Sequence, residues 1–483
     1  MLVLTILALV PRLVLGFLVI ELLRRSQSMS RLLELFLAGP VGVGISSLVS
    51  FLWIWIGLDL HLYSIIESIS ILLAAILVLW KHKTSIWQAW QNRQFSWSPQ
   101  MIGWSILVGA AAIAFCAQFW VASLQKPHGG YDAWANWNVV ARFVYRGGEQ
   151  WQGTFLRMYT LPDYPFLMAM TNATTWELLQ RETTRGPMVL AFLFALCVVG
   201  LLFSLMLELR GPWQASIIAI IALTQPILVQ SGVWQLADGP EACYFLASAS
   251  MTLLYFRSRD TRLIFLAGLT AGLSAWTKNE GLVFIITNLV VWAYISWRER
   301  KLIVKDYLLG AGGPLLIIGL FKAFLAPHNW LINGNPGLLI SLMDPARYLA
   351  VLREVGNVFW RADPAQYLTV LPEVGATVSN APQGLAIFLL ILIVYACLVG
   401  RTTNKTRGLL YLTFIVGTQA LVYFMVYVVT PYDIDWQVAT TLPRLYLHLF
   451  PLILVAIFLW LKSPDELNEL YRGGGHILSR QVP

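Results

Sequence analysis

The chain has 483 residues, of which 58% are hydrophobic and 12% charged. A soluble domain of this size cannot hide that much apolar side chain, which leaves a polytopic membrane protein as the class. The net charge of +8 is expected to sit in short loops that set orientation rather than to bind nucleic acid.

A spanning helix needs about 20 mostly apolar residues. In chain order such runs fall at 2–21, 33–57, 61–80, 101–123, 186–208, 214–232, 240–256, 263–277, 281–297, 308–326, 385–400, 408–430 and 443–462. They predict an all-α transmembrane bundle of about thirteen helices in a single domain. The first run shows no cleavage site and is expected to remain as a helix. The runs 263–277 and 281–297 are short, and one re-entrant hairpin is their alternative.

Basic residues cluster at Arg24/Arg25/Arg31, Lys81/Lys83, Arg257/Arg259/Arg262, Arg298/Arg300/Lys301/Lys305 and Arg401/Lys405/Arg407. With these helices every cluster falls on one side, which the positive-inside rule makes cytoplasmic. Outside lie two long loops, 124–185 and 327–384, and the segments 234–239, 276–281 and 431–443. The expectation is a multi-pass protein of the cytoplasmic (inner) membrane with its site facing outside. In the first loop, 132–145 (DAWANWNVVARFVY) puts Trp134, Trp137, Val140, Ala141 and Val144 at helical spacing. Arg142 and Arg146 lie off that stripe, which predicts a helix in the interface plane with its apolar face down. A second such helix is expected over 166–179, and shorter ones over 344–356 and 365–370.

The strongly polar segments all fall in those outer stretches: 130–137 (GYDAWANW), 161–165 (LPDYP), 237–241 (ADGPE), 277–281 (TKNEG) and 430–444 (TPYDIDWQVATTLPR). Charge near lipid is costly, so carboxylates gathered at one face point to a site. Asp132 follows the flexible Gly129-Gly130-Tyr131 and begins a helix. It either caps that helix or stands ready to take a proton from a hydroxyl. Asp163 is held between Pro162 and Pro165, as an Asx turn or as a rigid functional carboxylate. Asp238 and Glu241 flank a helix start, where capping and the helix dipole explain both and a functional role for Asp238 competes. Lys278 offers phosphate a point charge, or else snorkels beside Glu280. Arg444 opens the last helix, where a guanidinium can grip phosphate with two hydrogen bonds, and Asp433 and Asp435 are its expected partners. Lys322 lies near an outer helix end, and His448, alone on an apolar helix, reads as a satisfied core residue.

Cys116, Cys197, Cys243 and Cys397 lie in apolar runs without metal-ligand spacing. There is no nucleotide-binding signature and no HExxH. No metal ligand or cofactor is assigned, while a divalent cation on the carboxylates stays open.

Three motifs carry a resemblance: Asp132 at the start of the first large outer loop, then Asp163-Tyr164-Pro165, then GLSAWTKNEG at 272–281. In their order and common sidedness they resemble the GT-C superfamily of membrane glycosyltransferases, in the branch of protein O-mannosyltransferases and the lipid A aminoarabinose transferase. The likeness covers about 132–280 and the last helix. Many relatives carry a second acid beside the first, where this chain has Ala133. The resemblance implies sugar transfer, with inversion, from a polyprenyl-phosphate donor to a glycan, lipid or protein acceptor at the outer membrane face, among membrane lipids. It implies Asp132 as general base and Asp163 as a second catalytic carboxylate. Tyr131, Tyr164, Asp238, Lys278, Glu280 and Arg444 would bind substrate, with Lys278 and Arg444 neutralising the departing phosphate. The competing readings are a secondary transporter and a polysaccharide ligase or polymerase that works through Arg and His.

Overall fold

A computed structural model describes residues 1–23, 29–91, 99–156, 163–327, 337–360, 393–402, 407–463 and 466. The chain opens with α1 (Leu2–Leu23), α2 (Arg31–Trp55), α3 (Leu60–Gln91) and α4 (Pro99–Gln125). The first long loop carries a π-helical turn (Ala133–Trp137), α5 (Asn138–Gly147), a 3-10 stretch (Gly148–Leu156) and α6 (Leu167–Leu179). Then come α7 (Arg185–Arg210), α8 (Pro212–Leu223), α9 (Pro226–Val233), α10 (Asp238–Ser258), α11 (Thr261–Ala275), α12 (Glu280–Glu299) and α13 (Val304–Phe324). The last are α14 (Leu338–Met343), α15 (Pro345–Trp360), α16 (Arg407–Val429) and α17 (Ile434–Trp460).

Among the described residues, nine of these helices are long and apolar enough to cross a membrane, or ten if the bent pair α8 and α9 is one span. They answer to nine of the expected runs, and the other four differ for physical reasons. The run 214–232 breaks at Pro226, which lacks an N–H to continue the ladder, and α8 and α9 meet at 53°. The run 240–256 lies in α10, which carries Asp238, Glu241, Ser248, Ser250 and Thr252 and is buried throughout Asp238–Tyr255. A helix wrapped by other helices does not need lipid-grade side chains. The run 263–277 is α11, only 15 residues long, whereas its neighbour α12, at 20 residues, is by itself long and apolar enough to cross a membrane. Of 385–400, the part up to 392 lies outside the described residues.

Close helix crossings depend on missing side chains. A Cβ on Gly16 would lie 1.8 Å from the Ala38 carbonyl oxygen, and one on Gly42 would lie 1.7 Å from that of Arg12. These two glycines let α1 and α2 touch backbone to backbone. Gly268 and Gly310 do the same for α11 and α13, at 2.1 Å from the Tyr307 oxygen and 1.9 Å from the Phe265 oxygen. Between helices in lipid, such close packing is the main source of attraction. Helix α10 sits inside the bundle against α7, α11 and α17.

The first loop folds onto the protein instead of lying on lipid. Trp137, Ala141 and Val144 are buried because α5 packs against α6. Trp134, expected on the same stripe, is half exposed and meets Tyr131 edge-on, with ring centroids 4.9 Å apart. Arg142 and Arg146 both pair with Glu182. Helix α6 was expected at the interface but is buried from Leu167 to Trp176. Its threonines bond back to the helix's own carbonyls, and the buried Arg12 of α1 donates to Thr175 at 2.7 Å and Thr174 at 2.6 Å. The expected helix at 344–356 falls within α15 except for Asp344, which caps the short α14 in an extended conformation, and 365–370 lies outside the described residues. The segment 431–443 is largely helical, not a loop. Asp433 caps α17 by accepting from the Trp436 amide at 2.9 Å, and Pro443 is accommodated inside the helix.

Candidate active site

Helix α10 begins with Asp238, whose carboxylate is fully buried. One of its oxygens faces Lys278 Nζ and His448 Nε2, each at 2.9 Å. The other accepts from Arg444 Nε at 3.1 Å and pairs with Nη2 at 3.0 Å. The carboxylate is thus spent on side chains from the α11–α12 turn and from α17, and helix capping does not account for it.

Arg444 does not open α17 as expected. It lies ten residues beyond Ile434, about 15 Å along the axis, which carries it past Asp433 and Asp435. Its partners are instead Asp238 and Asp132, the latter at 2.7 Å from Nη1. Asp132 immediately precedes the π-helical turn and makes no side-chain capping bond. A π turn is a rare backbone form that proteins tend to keep at functional sites.

Lys278 is 3% exposed, so it does not snorkel. Its ammonium lies 2.9 Å from Glu280 Oε1 as well as from Asp238. Burial works against charge on Lys278, but the Asp238 and Glu280 carboxylates outweigh it and hold the ammonium above its ordinary value. Tyr164 packs under this pair, its ring 6.0 Å from Lys278 Nζ. Its hydroxyl reaches Glu280 Oε2 at 3.5 Å, the limit of a hydrogen bond. Burial, then Glu280 and Asp163, push the phenol far above its ordinary range, so it remains a donor.

Asp163 accepts from Asn279 Nδ2 at 2.8 Å and pairs with Lys322 Nζ at 3.3 Å. Lys322 also donates to Asn279 Oδ1 at 2.8 Å and to the Asp163 backbone carbonyl. Pro162 lies outside the described residues. Six of the eight expected site residues, Asp132, Tyr164, Asp238, Lys278, Glu280 and Arg444, therefore join one network, and Asp163 stands next to Tyr164 in a second cluster with Asn279 and Lys322. Tyr131 does not join it: it is 54% exposed and packs on Trp134.

Sequence reasoning missed Asn279 and set His448 aside. His448 is fully buried and bonded through both nitrogens, to Asp238 and, at 2.9 Å, to the Tyr423 hydroxyl. Gln419 completes this inner wall, donating to Tyr423 at 3.2 Å and to the Glu280 carbonyl at 3.3 Å. The signal for His448 was its spacing of four from Arg444, which puts both on one helix face. Glu241, one turn below Asp238, is fully buried, and neither of its oxygens has a hydrogen-bond partner among the described residues.

Among the described residues, no three His, Cys, Asp or Glu side chains converge to hold a metal ion. The carboxylates turn onto cations instead. Comparison with protein-family models, curated proteins and solved structures gives no match to this chain.

Proposed function

We propose that the chain is a GT-C-like glycosyltransferase that moves a sugar from a polyprenyl-phosphate donor to a hydroxyl acceptor at the outer face of the cytoplasmic membrane. The observation that carries this reading is the convergence of Asp132, Asp163, Asp238 and Glu280 with Lys278, Lys322 and Arg444 from segments far apart in sequence. All enter at the same ends of α10 and α12, opposite the ends that carry Arg257, Arg259, Arg298 and Arg300. The positive-inside rule then makes the site extracytoplasmic.

Asp132 is the general base in this reading. Its side chain is 19% exposed and has Arg444 as partner, whereas Asp238 is wholly enclosed and Asp163 is gripped by Asn279 and Lys322. Asp132 takes the proton of the acceptor hydroxyl, whose oxygen bonds to the anomeric carbon from the face opposite the phosphate. The bond from that carbon to the phosphate oxygen breaks, the configuration inverts, and polyprenyl phosphate leaves. Protonation of Asp132 removes one of the two negative charges on Arg444, freeing that cation for the departing phosphate beside Lys278.

A ligase or polymerase working through Arg and His has one observation in its favour: Arg444 and His448 share a helix face and both contact Asp238. His448, however, is fully enclosed with both nitrogens occupied, so it cannot touch a substrate as it stands. Two variants separate these readings in a lipid-donor transfer assay. The transferase reading expects Asp132→Asn to lower kcat by about 10²–10⁴-fold with the fold intact, the usual worth of a general base. It expects His448→Gln to retain measurable turnover. Full activity in Asp132→Asn together with a dead but folded His448→Gln rejects it.

A further inference from the structure

Helix α12 has Glu280 of the candidate site at one end and Glu299 at the other, about 30 Å away by helical rise. Around Glu299, the end of α10 and the starts of α11, α13 and α16 border an open cavity of about 660 Å³. Its walls include Arg259, Lys301 and Arg407, facing the carboxylates of Glu299 and Asp306. The volume is within the usual range of ligand pockets, about 300–1,000 Å³.

Glu299 shows what these cations are arranged to hold. Arg259 Nη1 reaches its two oxygens at 3.1 and 3.4 Å, and Arg407 Nη1 reaches one of them at 2.7 Å. Two arginines from different helices therefore converge on a single oxyanion. The Tyr255 ring lies 5.6 Å from the Arg259 guanidinium and helps fix its direction. In the cavity wall, Leu302 is apolar and 71% exposed. A charged recess with an outward apolar side chain in its wall fits a ligand with an anionic head and a hydrocarbon tail.

We propose that this cavity binds the phosphate headgroup of an anionic phospholipid. Arg259, Lys301 and Arg407 form its cationic wall, and Glu299 is an internal stand-in that the headgroup displaces. Guanidinium pairs match phosphate as they match carboxylate. This end of the bundle is the one the positive-inside rule assigns to the cytoplasm, whose leaflet carries anionic lipid. Free phosphate shares the headgroup chemistry but has no tail to lie along Leu302.

The test uses the full chain purified in detergent and titrated with fluorescent short-chain phosphatidylglycerol. Phosphatidylcholine and inorganic phosphate serve as parallel arms. Phosphatidylglycerol is expected to bind saturably and tighter than both. The double variant Arg259→Gln/Arg407→Gln should weaken it by about tenfold or more, one hydrogen-bonded charge being worth at least that factor. Glu299→Gln should tighten it, because the competing oxyanion is gone. Equal binding of the two lipids overturns the proposal, as does inorganic phosphate binding as tightly as phosphatidylglycerol. If the double variant does not fold, Glu299→Gln decides alone: unchanged or weaker binding overturns the proposal.

Discussion

Asp238→Asn keeps the shape of the buried hub and removes one negative charge. Lys278 retains Glu280 and Arg444 retains Asp132, so neither cation is stranded. The bond to Lys278 is fully enclosed, and a charge-assisted bond of that kind is worth about 1.5–3 kcal/mol. The Arg444 side chain is 21% exposed, so its share is discounted for solvent. The asparagine also turns one amide N–H₂ toward a donor. The total comes to about 3–5 kcal/mol, the usual cost of breaking a buried pair. Against a typical stability of about 5–15 kcal/mol, the variant should fold but unfold at a clearly lower temperature or denaturant concentration. Asp132→Asn removes a pair whose two side chains are 19% and 21% exposed, and should cost no more than about 1 kcal/mol. Midpoints measured on both variants and the parent in one detergent test this ranking. An Asp238→Asn midpoint equal to the parent's, or an Asp132→Asn loss just as large, would refute the assignment of Asp238 as the buried hub.

Two further outcomes follow from the packing and the orientation. Gly42→Val should abolish folded protein, because its side chain would have to occupy the space of the Arg12 carbonyl 1.7 Å from the glycine's Cβ position; normal yield and stability would mean that α1 and α2 do not touch. In a background without native cysteines, Asp433→Cys should react with an impermeant maleimide from outside intact cells and Leu302→Cys only after permeabilisation, both positions being exposed; the reverse pattern would invert the topology.

The sequence made the spans legible because lipid demands long apolar runs, and nine runs answer to nine candidate spans. It gave no sign that α10 is enclosed by protein from Asp238 to Tyr255, which is where Asp238, Glu241 and three hydroxyls are tolerated that lipid would not accept. It also placed the last helix too late: Pro431 and Pro443 read as loop markers, whereas α17 starts at Ile434 between them. That shift of register misassigned the partners of Arg444. The polar residues of the candidate site were readable as residues stranded at the ends of apolar runs. Their pairings were not, since the choice between Asp433 and Asp132 for Arg444 depends on where α17 lies against the first loop. His448 was passed over because a solitary histidine on an apolar helix carries no signal until its neighbour across α10 is known.

The most direct measurement is donor consumption. Folded, detergent-purified protein is incubated with radiolabelled polyprenyl-phosphate sugars and a membrane extract as acceptor source. The account predicts that one donor is consumed, that its label moves to an acceptor, and that Asp132→Asn halts the transfer without loss of fold. No consumption of any donor by the folded parent protein, or undiminished transfer by Asp132→Asn, would contradict it.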